Sequence, residues 1–124
     1  MRAPKKDLKD SDFKDRLTRY REIKISVIGR KSGKTISVPV WFVLEGEKLY
    51  LLPVKGSDTQ WYQNVLKNPS IRIDARGAEA VLAAKPITDS GTVKLVVEKF
   101  REKYGSGDVK QYYSKFDVAV LAEL

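Results

Sequence analysis

Two short basic segments carry the residue types that could do chemistry. The first, Gly29-Arg30-Lys31-Ser32-Gly33-Lys34, sets three cations and a hydroxyl around two glycines. Glycine lets backbone approach a ligand closely, and successive N–H groups in a turn can form an anion-binding nest, so the pattern suits a phosphate. It is not a Walker loop, because Gly29-x-x-x-Gly33-Lys34 is one residue short and a strand pattern follows instead of a helix. The plainer reading is an exposed basic hairpin. The second segment, Lys55-Gly56-Ser57, stands where a strand pattern gives way to a helical one. A helix start offers free N–H groups and the positive end of the dipole, to which Lys55 adds a full charge. The plainer reading there is helix capping by Ser57. Trp41, Trp61 and Tyr62 could flank a flat ring, although aromatics more often fill cores. Tyr112 and Tyr113 are weaker candidates, and Asp58, Asp89 and Asp108 read as helix caps.

Composition narrows what these segments can do. The 124 residues include no cysteine and no histidine. Thiolate chemistry, disulfides, Ser-His-Asp and Cys-His arrangements are therefore excluded, along with the usual zinc ligand sets. No catalytic side chain and no metal site is expected. Any demanding chemistry would have to be carried by a bound cofactor. The formal net charge of +8 favours anionic partners. Basic and aromatic residues interleave as in single-strand binders, but 16 acidic residues are interspersed with the basic ones. No recognised nucleic-acid motif is present, so a nucleic-acid partner is not the preferred reading. No signal peptide or membrane-length apolar run is seen, and a soluble cytoplasmic protein is expected.

Elements that would position the two corners follow from periodicity. Residues 1–9 read as a flexible basic tail and residues 10–124 as one domain. Ser11 or Asp12 can cap a helix reaching about Tyr20. Alternation then gives strands at 22–29, 35–44 and 48–54, a three-stranded meander whose turns use Gly33 and Gly46. On the second strand, Ile36, Val38, Val40, Phe42 and Leu44 share a core face. Pro39, with no N–H to donate, marks an edge or bulge, and its face could line a groove. Ser57 to Lys67 reads as a helix with Ser57 and Gln60 at capping-box spacing, ended by Asn68-Pro69. Strands follow at 70–74 and 78–87 around Arg76-Gly77, the second apolar enough to be expected buried on both faces. Val93, Val96, Val97, Phe100 and Tyr104 mark a helix stripe ended at Gly105. A short helix capped by Asp108 and a last strand from Asp117 complete an α+β chain built on a small barrel of about six mostly antiparallel strands with flanking helices.

At these residues the chain resembles the deazaflavin-dependent nitroreductase family of the FMN-binding split β-barrel group. The likeness rests on the Gly29–Lys34 turn, Pro39, Gly46, Lys55-Gly56, Trp61-Tyr62, Asn64 and Asn68-Pro69, over roughly residues 22–88. It implies a split barrel holding the deazaflavin coenzyme F-420, or FMN as second choice, and hydride transfer to a small nitro or unsaturated substrate. By that resemblance Lys31, Lys34, Lys55 and the backbone of Gly56 and Ser57 would hold the cofactor's phosphate, and Trp61 and Tyr62 would pack beside the cofactor or support its pocket. Arg30, Ser32, Pro39 and Trp41 join them as cofactor-binding candidates. The chain departs from the family pattern at Thr35-Ile36, Ser57, Thr59 and Gln63. The alternative is a non-catalytic split-barrel module that binds a phosphorylated ligand or a protein partner. A homodimer is left open, since some deazaflavin relatives are monomers.

Overall fold

The computed structural model describes residues 13–124, so the basic tail and the cap at Ser11 or Asp12 lie outside the described residues. Helical residues 13–19 (α1) lead into β1 (Glu22–Ile28), β2 (Thr35–Glu45) and β3 (Lys48–Leu51). A single 3-10 turn, Gly56–Asp58, precedes α2 (Gln60–Lys67). Then come β4 (Ser70–Ala75), β5 (Ala78–Ile87), α3 (Ser90–Tyr104), α4 (Ser106–Tyr112) and β6 (Ala119–Glu123).

The six strands close into a barrel in the order β1-β2-β3-β6-β5-β4, with every neighbouring pair antiparallel. The two longest strands make the closure possible. β2 pairs with β1 from Thr35 to Trp41 and with β3 from Phe42 to Glu45. β5 pairs with β4 from Ala78 to Ala83 and with β6 from Ala84 to Ile87. Each thus belongs to two sheets and turns the corner between them, which is the split barrel expected from the sequence.

The corner on β2 leaves Phe42 beyond the end of β1, so its backbone groups on that side need other partners. α3 supplies them. The Phe42 N–H donates to the Tyr104 hydroxyl at 3.0 Å, and the Lys103 ammonium donates to the Phe42 carbonyl at 2.7 Å. The Tyr104 hydroxyl in turn donates to the Arg21 carbonyl at 2.6 Å.

Two apolar clusters flank the sheets. One fills the barrel with Ile25, Val27, Phe42, Leu49, Leu51, Ile71 and Ile73 and takes Leu17 from α1 and Trp61, Tyr62 and Val65 from α2. The other packs the α3 stripe and Val109 and Tyr113 against Tyr50, Leu52 and Ala119.

Three local expectations need correction. β5 alternates instead of being buried on both faces: Val81 is 67% exposed, because helices cover only part of the barrel and leave that wall outward. Ile36 is also exposed, since β2 begins beyond the interior of the barrel. Asp108 lies in the first turn of α4, whose cap position belongs to Gly105, so it is not a cap. Asp89 does cap α3, accepting from the Thr92 N–H at 2.9 Å. Among the described residues no helix is long and apolar enough to cross a membrane.

Candidate functional site

The basic turn between β1 and β2 folds down onto α2. Gly33 takes a positive φ of 72°, as a tight hairpin requires. Arg30 makes the main contact: its backbone N–H and its guanidinium both donate to Asn64 Oδ1, at 3.0 and 2.8 Å, and a second guanidinium N–H donates to Gln60 Oε1 at 2.9 Å. Between turn and helix lies a pocket of about 310 Å³. Gly29, Arg30, Lys31 and Ser32 line one side, Gln60, Trp61 and Asn64 the other, and Ile36 and Val38 the wall. Cations at the rim and an indole with two aliphatic chains inside would suit a flat ligand carrying an anionic group.

The turn uses four of its six backbone amides internally or on α2. Gly29 N–H donates to the Lys34 carbonyl, Gly33 N–H to the Gly29 carbonyl, Lys34 N–H to Ser32 Oγ and Arg30 N–H to Asn64. The hairpin has used these amides to hold its own shape. What it offers a ligand is the charge of the exposed Lys31 and Lys34 side chains and the N–H groups of Lys31 and Ser32, which have no partner among the described residues.

The Lys55-Gly56-Ser57 corner is built differently from expectation. Ser57 does not cap α2; Thr59 holds that position, without a side-chain capping bond. The Ser57 N–H and hydroxyl instead both donate to the Asp117 carboxylate, at 2.9 and 2.5 Å. Lys115 lies 3.1 Å from Asp58 and 3.7 Å from Asp117. Burial pushes the Asp117 carboxyl up, but the Ser57 donors and the Lys115 charge outweigh it and hold the group below its ordinary value. Gly56 is required here: its φ is +54°, and a Cβ would collide with the Asp117 carboxylate. The donors that the sequence offered to a phosphate thus hold an internal anion. Lys55 is exposed, and none of Lys55, Gly56 and Ser57 lines the pocket at the turn.

The other candidates separate. Trp61 lines the pocket and is otherwise buried, whereas Tyr62 is buried in the barrel core, where burial raises its phenol above the ordinary value. Trp41 lies away from the turn, stacked between Tyr104 at 4.3 Å and Tyr112 at 4.5 Å between centroids. Pro39 borders a different depression with Glu22, Lys24, Asp74 and Arg76.

Sequence reading missed Gln60, Asn64 and Asp117 as site-forming residues. Gln60 and Asn64 stand at i and i+4, which puts two carboxamides on one helix face, a signal that was legible. Asp117 is 60 residues from Ser57 and had no local signal.

A family model described as an uncharacterized protein conserved in bacteria (DUF2255) matches residues 14–119. The chain belongs to the DUF2255 family. No curated protein matches it. Among solved structures, it is similar to an F420-H2 dependent reductase, FDR-A, with 21% identity over 83% of this chain and 94% of that one, at a TM-score of 0.65. It is similar also to HutZ, the heme storage protein from Vibrio cholerae, with 15% identity over 91% and 87% and a TM-score of 0.67. A third is a domain-swapped dimer, with 18% identity over 97% and 99% and a TM-score of 0.66. At these identities the likeness is one of fold.

Proposed function

We propose that this DUF2255 chain is a cofactor-binding split barrel that takes a flavin-type coenzyme, the deazaflavin F-420 before FMN, and serves hydride transfer to a small nitro or unsaturated substrate. The observation that carries the reading is the juxtaposition of the Lys31 side of the basic turn with the Trp61 face of α2 around one pocket. The resemblance of the same residues to deazaflavin-dependent nitroreductases and the fold shared with an F420-H2 dependent reductase support it.

The fit of the residues is good at the turn and poor at the Lys55 corner. Ile36, Val38 and Trp61 offer an apolar surface, and Lys31 on the pocket's lining offers charge to a phosphate, with Lys34 exposed on the same turn but not lining the pocket. Ser57 cannot serve the phosphate while Asp117 holds its donors. A reduced cofactor of this type supplies the hydride. The chain's part is to bind and orient the ring, exclude water from one of its faces and neutralise the phosphate. No side chain has to act as acid or base, in keeping with a sequence that has neither histidine nor cysteine. Cytoplasmic location and a homodimer belong to the same proposal; the fold shared with a domain-swapped dimer supports the latter.

Titration with FMN and with F-420, read by fluorescence and by melting temperature, tests the function. Saturable binding of one of them with a raised melting temperature is the expected result. Failure of both would favour the second reading, a non-catalytic module for another ligand or a protein partner, which the occupied Ser57 corner already recommends. Lys31→Ala should weaken cofactor binding by about 1.5–3 kcal/mol if the ammonium meets a phosphate, and Lys55→Ala by less. Equal losses in the two variants would put the phosphate elsewhere.

A further inference from the structure

Arg30 decides which way the polar groups of the pocket point. The three Arg30 groups that meet α2, one backbone N–H and two guanidinium N–H groups, can only donate hydrogen bonds. The atoms facing them on Asn64 and Gln60 are therefore the carboxamide oxygens. That leaves Asn64 Nδ2 and Gln60 Nε2 on the opposite side of each amide, and neither has a hydrogen-bond partner among the described residues. Asn64 is only 3% exposed and, among the described residues, is the one buried side chain of the amide, acid or basic kinds. Both residues line the pocket at the turn. No buried side-chain nitrogen or oxygen among the described residues lacks a partner, so the Asn64 amide nitrogen reaches solvent although most of the side chain does not. Asn64 spends its acceptor twice, on Arg30, and keeps its donors for something else.

We propose that this pocket recognises the oxygen-acceptor edge of a ligand, with Asn64 and Gln60 as the recognising residues and Arg30 as the positioning residue that sets both amides donor-outward. The shared chemistry is a group with neighbouring oxygens that accept and do not donate. A phosphate has it, and so do the carbonyls of a flavin-type ring. The proposal rests on reading this pocket as the cofactor site, yet it can fail separately. It also gives Arg30 a positioning task, with two of its five guanidinium N–H groups engaged by α2.

The side-chain NH2 signals of Asn64 and Gln60 provide the readout, assigned by their disappearance in Asn64→Asp and Gln60→Glu. The labelled protein is titrated with inorganic phosphate, riboflavin, FMN and F-420. A saturable shift of the Asn64 pair with phosphate identifies a phosphate as the acceptor, and a shift with riboflavin identifies the ring carbonyls. Asn64→Asp keeps an oxygen for Arg30 but turns the donor facing the pocket into an acceptor. It should melt at or above the wild-type temperature and lose at least about tenfold in affinity for the ligand that moved the signal. Gln60→Glu makes the same exchange at an exposed position, where folding is not at stake. The proposal is overturned if none of the four ligands moves either amide pair, or if both variants bind as the wild type does. FMN or F-420 binding with both pairs unmoved overturns it while the cofactor reading survives. Phosphate or riboflavin moving the pairs while FMN and F-420 fail to bind leaves it standing and removes the cofactor reading.

Discussion

Arg30 clamps the basic turn onto α2 because two carboxamide oxygens stand opposite it on one helix face. Two of its five guanidinium N–H donors go to the Asn64 and Gln60 carboxamide oxygens, which fixes the side chain against α2. Lysine in its place could reach one oxygen but not both. Arg30→Lys should therefore cost about 1–2 kcal/mol in urea unfolding, and a change under a few tenths would show that the clamp carries no stability. Lys103 gives a second prediction at this scale. Burial, aided by the nearby Arg21 charge, pushes its amine down to about 8 from an ordinary 10.5. In that window the unfolded chain binds more protons than the folded one, so stability should rise with pH. Wild-type stability relative to Lys103→Met is expected to climb from pH 8 to about pH 9.5. A flat difference would mean that the ammonium is not held out of water.

Elements meet at two seams, each closed by side chains far apart in sequence. At the corner of β2, the end of α3 completes the bonding of Phe42 through Tyr104 and Lys103. Tyr104→Phe strands the Phe42 N–H in a buried place and should cost about 1–3 kcal/mol, measured by denaturant unfolding. At the entry to α2, the segment before β6 is tied down by the Asp117–Ser57 bonds, by the Ser114 N–H donating to the Val54 carbonyl at 2.9 Å and by the Lys115 ion pairs. Gly56→Ala there meets both an unfavourable φ and the Asp117 carboxylate, and a loss of roughly 2–4 kcal/mol is expected from the same measurement. An alanine variant as stable as the wild type would mean that the Asp117 contact is dispensable. The Asp117 carboxyl sits below its ordinary value, so its contribution is present above pH 4 and fades as pH falls through the folded value. Its partial exposure keeps that contribution small.

The whole molecule is a barrel closed by two long bent strands, with helices on part of its outside and a pocket where one hairpin meets one helix. A pocket of this kind needs no motion of the barrel to exist, so ligand binding should add stability without remodelling the sheets. Cofactor at a hundred times its dissociation constant would stabilise the fold by about 2.7 kcal/mol. A cofactor that binds without raising the melting temperature would contradict a site formed in the folded barrel. Assembly is decided by sedimentation: a homodimer is expected under the cofactor reading, with the exposed Val81 among the apolar groups still to be covered, and a monomer at all concentrations would remove it.

Sequence alone determined the elements. Alternation at Ile23, Ile25 and Val27, the glycines at the hairpins, and the spacing of Val93, Val96, Val97, Phe100 and Tyr104 are local signals, because strand and helix periods are written in neighbouring residues. The absence of histidine and cysteine likewise excluded whole classes of chemistry without any coordinates. Tertiary structure alone decided which donors were free. The Ser57 corner has the sequence of an anion site, but its donors go to Asp117. The basic turn has the glycines of a nest, but four of its amides go to its own carbonyls, to Ser32 Oγ and to Asn64, and only those of Lys31 and Ser32 are left over. Hydrogen bonding is satisfied pairwise across the fold, and a residue's availability depends on a partner whose distance along the chain carries no local trace.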